Sequence, residues 1–199
     1  MTDITSDIVF TDTVKGIQER KGSRTGYAKM EAKGGWRDSV TEDLAAFIAG
    51  RESFYLGTAN AAGQPYIQHR GGPRGFLRVI DDKTLAFADF TGNRQYITQG
   101  NLAENDKAYI FLMDYANRRR IKIWGRAKVI ENDPALLKEL ADPAYRADPE
   151  QAIVFTLDAW DSNCPQHIPR LFSEAELRVI TGGLEARIAE LEAKLERND

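Results

Sequence analysis

The chain has 199 residues, 42% of them hydrophobic and 29% charged, with a net charge of −3; this suffices for one full core, so one domain with appendages is expected. No apolar run approaches the ~20 residues of a membrane span, and Met1-Thr2-Asp3-Ile4 does not open a basic-then-apolar secretory signal. One cysteine, Cys164, and two histidines exclude a disulfide framework and a His/Cys metal site, and they fit a reducing cytoplasm.

Charge is unevenly spread. Residues 63–130 carry 12 basic against 6 acidic side chains, whereas residues 173–199 carry 4 against 7. A positive centre in an acidic chain suits a small anionic ligand better than a nucleic acid.

Residues 1–40 read as an N-terminal arm, irregular with at most short helical pieces, which Tyr27, Met30 and Trp36 can pin to the body or to a partner subunit. Thr41 caps a helix with Glu42 and Asp43 in its first turn and Leu44, Phe47 and Ile48 as its buried stripe; Gly50 ends it. Strands follow at Phe54–Thr58, Pro65–Arg70, Phe76–Ile80 and Thr84–Ala88, with turns at Asn60–Gly63 and Asp81–Lys83. A short helix is expected over Asn93–Leu102, then strands at Lys107–Asp114 and Arg119–Ile130. Closely spaced antiparallel strands of this kind favour a barrel. Ala108–Met113 and Ala152–Leu157 are apolar on both faces, so helices or a second subunit must cover the outer one. Asp133 caps a helix at Pro134–Ala141, and the prolines of Asn163–Pro169 make that segment extended or turning. In the last stretch, 171–199, Ser173 and Glu176 form a capping box. The stripe Leu177, Ile180, Leu184, Ile188, Leu191 and Leu195 docks on its own barrel or pairs, antiparallel or swapped, with a second subunit; Gly182-Gly183 weakens the helix midway.

The candidate chemistry lies between Gln64 and Lys128. Gln68, His69 and Arg70 end a strand beside Gly71-Gly72, and Arg70 there is either an anion ligand or a turn arginine. In Phe90-Thr91-Gly92-Asn93-Arg94-Gln95, Gly92 permits close backbone approach while Asn93 and Arg94 add donors at a helix start, unless they are an ordinary cap and a solvated arginine. Arg118, Arg119 and Arg120 lead a strand whose Arg120, Lys122, Trp124 and Arg126 share one face. That face can stack on a ring system, pair with phosphate, or meet a partner's acidic residues. No Walker sequence, dinucleotide fingerprint, nucleophile elbow or pair of catalytic carboxylates is present. The basic and amide strand ends point together to a phosphorylated, planar cofactor that carries the chemistry itself.

Over residues 41–165 these pieces resemble the pyridoxamine 5′-phosphate oxidase-like, FMN-binding split-barrel superfamily, through Gly63–Tyr66, Arg70, Thr91–Arg94 and Arg119–Ala127 taken in order. The resemblance implies a mainly β (α+β) fold: a six-stranded antiparallel split β-barrel at 41–170 with flanking helices, followed by a long C-terminal helix. It also implies a homodimer with FMN at the subunit interface. Gln68, His69 and Arg70 would meet the phosphate and ring edge, Asn93, Arg94 and Gln95 the phosphate, and Arg119 and Arg120 the flavin from the other subunit. The Asn-Cys-Pro-Gln-His segment, with Gln166, resembles one that closes the site in flavin-binding relatives; Cys164 in it reads as a buried filler before a redox thiol. The implied activity is that of a cytoplasmic flavoprotein oxidoreductase acting on a small substrate with NAD(P)H or oxygen, with Arg120 or His69 stabilising the reduced ring. The alternative is a non-catalytic flavin- or haem-binding sensor. Gln95 and Arg120 replace the oxidase's Lys and Gln, Gly71–Arg74 departs from its pattern, and its C-terminal substrate pattern is missing, all of which argues against true pyridoxamine phosphate oxidation.

Overall fold

A computed structural model of the chain describes residues 4–163, 165–195 and 197; Cys164 lies outside them. The described residues form two compact units, one of residues 4–113 and 120–163, the other of 114–119 and 165–195.

In the first unit, residues before 41 are more regular than their composition suggests. A short 3-10 turn at Thr5–Ile8 precedes α1 (Asp12–Lys21) and α2 (Arg24–Glu31). Few apolar residues are available there, and a polar clasp compensates: the Arg24 guanidinium donates to Gln18 Oε1 at 2.9 Å and pairs with the buried carboxylate of Glu31. A charge-assisted, two-pronged contact of this kind can hold two short helices together. Trp36 then stacks on Trp124, ring centroids 4.6 Å apart, and ties the arm to the sheet.

Helix α3 (Glu42–Ala49) forms as expected, with Thr41 Oγ1 accepting from the Leu44 N–H at 3.3 Å and Leu44, Phe47 and Ile48 buried. The strands are β1 (Ser53–Ala59), β2 (Pro65–Gly71), β3 (Arg78–Val79), β4 (Thr84–Phe90), β5 (Lys107–Asp114), β6 (Arg119–Ile130) and β7 (Pro149–Asn163). They make one antiparallel sheet in the order β2-β1-β5-β6-β7-β4-β3. The sheet thus has seven strands rather than six, because the two-residue β3 joins it; Phe76 and Leu77, expected in that strand, are instead buried from the preceding loop. Gly63, at φ 84°, completes the β1–β2 turn, its N–H donating to Asn60 O at 2.9 Å.

The inward face of the sheet, with Phe54, Leu56, Leu85, Phe87, Ile110, Leu112, Ile123 and Phe155, closes over one core with α3. Each fully buried side chain of this size stabilises by about 1.5–3 kcal/mol before entropy is counted. The second apolar face of β7 is covered by α5 (Pro134–Leu140), where Leu136, Leu137 and Leu140 pack on Ala86, Ala88, Ala152 and Val154. Asp133 caps α5 through the Leu136 N–H at 2.9 Å. Over β5 the outer side chains Tyr109 and Phe111 stay only half-buried. Among the described residues no helix is long and apolar enough to cross a membrane.

In the second unit, Asp114 accepts from the Asn117 N–H at 3.0 Å and shapes the 114–119 turn. Helix α6 (Glu174–Leu195) opens on the expected capping box: Glu176 Oε2 accepts from the Ser173 N–H at 2.8 Å, and Ser173 Oγ from the Glu176 N–H at 3.2 Å. None of its residues is buried.

Candidate functional site

The site grows out of a gap in the hydrogen-bonded sheet. Strands β2 and β4 share no ladder among the described residues, yet side chains bridge them: Arg70 of β2 pairs with Asp89 of β4. Helix α4 (Ile97–Glu104) packs on β1 and β2 beside this gap, with Thr98 Oγ1 donating to Gln68 Oε1 at 2.7 Å. A cleft of about 320 Å³ opens here, lined by Tyr66, Gln68 and Arg70, by Asp89 and Phe90, by Glu150 and Gln151 of β7, and by residues 92–99.

Alternation along β2 decides which residues take part. Tyr66, Gln68 and Arg70 share the cleft side, while Ile67 and His69 fall on the other face. His69 is therefore parted from the neighbours it was grouped with. It meets Tyr55 edge-on, centroids 5.6 Å apart, and lines a smaller pocket of about 140 Å³ with Phe76 and Phe87, which Arg70 also reaches.

Arg70 is the most tightly held group in the cleft. Its side chain is 13% exposed and that of Asp89 12%. Asp89 is engaged on both oxygens, Oδ1 by the Arg70 Nη1 and Oδ2 by Gln151 Nε2 at 3.0 Å. The guanidinium carbon lies 5.8 Å from the Phe87 ring centre. Arg70 Nε is buried and has no hydrogen-bond partner. An orphaned buried donor costs about 1–3 kcal/mol, and such a group calls for a physical reason, a bound ion or a functional role among them.

The opposite wall is the segment before α4. Asn93, Arg94 and Gln95 were expected within the helix, but the helix begins at Ile97 because Arg94 (φ 59°) and Tyr96 (φ 53°) are left-handed. Each such residue costs about 1–3 kcal/mol, a strain characteristic of functional turns. Arg94 Nε donates to the Tyr96 hydroxyl at 3.0 Å, which donates to Glu150 Oε1 at 2.8 Å, and Asn93 Oδ1 accepts from the Gln95 N–H at 3.3 Å. No side chain caps α4, whose first residues, Ile97, Thr98 and Gln99, line the cleft. The partial positive end of a helix dipole therefore adds to two arginines.

Gln68, Arg70, Phe90, Asn93, Arg94 and Gln95 are thus gathered in one place. Thr91 is exposed beside them, its N–H held by Asp148 O at 3.0 Å. Arg120 does not line the cleft; it lies on the β6 face with Lys122 and Trp124. On that face Trp124 already stacks on Trp36, and Lys122 sits over both rings at 5.1 and 5.3 Å while pairing with Asp161 at 2.9 Å. Tyr109 lies on the same side. Burial lifts its phenol to about 12, against the pull of the Arg120 charge, with Asp161 adding to the rise. Arg119 and Gln166 belong to the second unit. A broad apolar groove of about 900 Å³ runs over Tyr55, Ile67, Tyr109, Phe111 and Trp124, and Tyr66 lines both this groove and the cleft.

Sequence reasoning missed Asp89, Tyr96, Thr98, Glu150 and Gln151. Asp89 and Tyr96 flank the quoted segment; only their pairing with Arg70 and Arg94, 19 and 2 residues away, reveals them. Glu150 and Gln151 carried no local signal, since β7 brings them across the sheet.

No curated protein matches the chain. Among solved structures, HupZ of Group A Streptococcus superposes with a TM-score of 0.52 at 20% identity, over 67% of this chain and 99% of that one. An FMN-binding protein from Syntrophomonas wolfei subsp. wolfei superposes with a TM-score of 0.51 at 15% identity, over 73% of this chain and 97% of that one. At such identities these likenesses establish the fold. The family described as Pyridoxamine 5'-phosphate oxidase matches residues 40–164, more than half of the sequence and the whole span from the α3 cap to the end of β7, and this chain belongs to that family.

Proposed function

We propose that the cleft between β2 and β4 binds the phosphate end of FMN and that the chain is a flavin-dependent oxidoreductase for a small substrate, working as a homodimer. The observation that carries the reading is the buried, unpartnered Nε of Arg70 at a cleft that also holds Arg94 and the uncapped start of α4. These groups fit a phosphate. Asp89 does not defeat the fit, because both its oxygens are occupied in orienting Arg70 and Gln151. Arg94 would supply the second cation, with Gln68, Asn93 and Gln95 as nearby polar partners. A structural neighbour named as an FMN-binding protein supports the same ligand.

The chemistry supplied by bound FMN is transfer of a hydride or electrons between the substrate and NAD(P)H or oxygen. The chain's own part is binding, orientation and electrostatics. Among the described residues no His, Cys or Ser lines the cleft; with both oxygens of Asp89 engaged by Arg70 and Gln151, its remaining acid–base groups are Glu150 and the phenols of Tyr66 and Tyr96. Arg120, outside the cleft of its own chain, is suited to serve the cleft of a second copy docked on the groove over Tyr55 and Ile67. That docking would also cover the outer face of β5.

Purified protein should show flavin absorption or acquire it with FMN, and Arg94→Ala should weaken FMN binding about tenfold to a hundredfold, the worth of a charge-assisted contact. Protein that is colourless and leaves FMN fluorescence unchanged on titration would end this reading. Reduction of the bound flavin by NADH or NADPH separates an enzyme from a flavin store.

A further inference from the structure

Helix α6 carries an apolar seam, none of whose residues is buried. Leu177, Leu184 and Leu191 recur every seven residues, and Thr181, Ile188 and Leu195 follow each of them by four. These are the d and a positions of a heptad repeat. Leu184 is 61% exposed and Leu195 68%. Helices in proteins are stabilised mostly by packing of an apolar face rather than by propensity, and Gly182 and Gly183 weaken this one further, so the seam needs a partner.

We propose that α6 pairs with α6 of a second copy of this chain as a parallel, in-register, two-stranded coiled coil. The seam has the composition for two strands: leucine at every d, and β-branched Thr181 and Ile188 at two of the three a positions. Flanking charges set the direction. In the parallel alignment a g residue approaches the following e residue of the other helix, so Arg187 meets the partner's Glu192, twice by symmetry. Ile180 faces the partner's Glu185, and no like charges meet. An antiparallel alignment that keeps all six seam residues paired sets Leu184 against the partner's Ile188. It does bring Arg178 to the partner's Glu192, twice by symmetry. It also brings Glu185 to the partner's Glu185 and Arg187 to the partner's Arg187, and two like-charge contacts so placed cancel the two good ones, whereas the parallel alignment keeps its two good pairs unopposed.

The glycines agree with this geometry. Gly182 and Gly183 fall at b and c, off the seam, and a Cβ built on either meets nothing within 4 Å. They lower helix stability without touching the interface, so replacing them strengthens pairing from outside.

The test is oxidative cross-linking of the full chain carrying Cys164→Ser. In a parallel pair position 191 faces itself, so Leu191→Cys should form a disulfide-linked dimer about tenfold or more faster than Ala186→Cys, which lies at f on the outer face, because a seam thiol sees its twin at high effective concentration. Adding Gly182→Ala and Gly183→Ala should raise the Leu191→Cys rate further. Two results overturn the proposal. One is an equimolar mixture of Thr181→Cys and Leu191→Cys chains yielding mainly mixed dimers, the antiparallel signature. The other is Leu191→Cys linking no faster than Ala186→Cys, which means that the seam is covered by its own chain or by a different molecule. Both readouts report on α6 alone and are indifferent to whether the barrel face pairs.

Discussion

The Arg70–Asp89 pair sets two demands against each other, since one guanidinium serves a carboxylate now and a phosphate in the proposed complex. Replacing Asp89 by Asn leaves the shape and removes the charge, so the buried Arg70 cation loses its partner. Breaking a buried pair from one side destabilises by up to 3–5 kcal/mol; with both side chains about one-eighth exposed, a loss of about 1–3 kcal/mol is expected. Added FMN should restore more stability to Asp89→Asn than to the native chain, because the anion replaces the missing partner. Thermal unfolding with and without FMN reads both effects; an equal or smaller FMN-induced shift in the variant means that the phosphate does not use this guanidinium. Tyr109 gives a prediction of a different sign. Its phenol is raised to about 12, chiefly by burial, so the fold favours the protonated form. Its stabilising contribution is whole below pH 10 and is lost as pH climbs from about 10 to about 12. Alkaline unfolding should therefore steepen over that window in the native chain and flatten in Tyr109→Phe, while the phenolate absorbance of one tyrosine appears late.

At the scale of elements, the β6–β7 ladder depends on a residue that does little in sequence. Its register shifts between Trp124 and Gly125. A Cβ on Gly125 would lie 2.0 Å from the Thr156 carbonyl oxygen and 2.6 Å from the Phe155 ring. Backbone cannot yield as a side-chain tip can, so Gly125→Ala should cost about 1–3 kcal/mol or more and lower the denaturant midpoint with little change in slope; an unaltered midpoint would show the ladder able to shift. Much of this layer was legible beforehand. Strands β5 and β6 run over the residues expected of them, β5 as a continuous apolar run bounded by turns and β6 through its alternation. The caps at Thr41, Asp133 and Ser173 were readable because each is a local hydrogen bond between residues three apart. The start of α4 was not, since nothing in Asn-Arg-Gln-Tyr announces left-handed backbone at Arg94 and Tyr96. Nor were α1 and α2, whose clasp joins Arg24 to Gln18 and Glu31 by polar contacts invisible to hydrophobic periodicity.

For the whole molecule, the decisive matter is what covers the groove over Tyr55, Ile67, Tyr109, Phe111 and Trp124. Sequence announced the two-faced apolar character of β5 and β7; tertiary structure then divided them, giving β7 a helix and β5 none. It could not announce that Arg120 and the Arg70–Arg94 cleft lie on different surfaces of one chain, because both sit at basic strand ends of the same type. The proposed homodimer on the groove would reconcile them, and Ile67 tests it well. It is 69% exposed, lines the groove, and points away from the cleft that its neighbours Tyr66 and Gln68 line. Ile67→Asp would bury a charge at the proposed interface while sparing every residue assigned to the phosphate, so, combined with Leu184→Asp to part the α6 seam, it should yield a monomer by sedimentation with native unfolding cooperativity, whereas Leu184→Asp alone should stay dimeric. If the partner's Arg120 completes the site, FMN affinity should fall about tenfold or more in that monomer, and Arg120→Ala in the native dimer should cost a similar factor. A monomeric chain with both substitutions that binds FMN as tightly as the native protein would show that each cleft is complete within one copy, leaving Arg120 to the stability of the Tyr109 face.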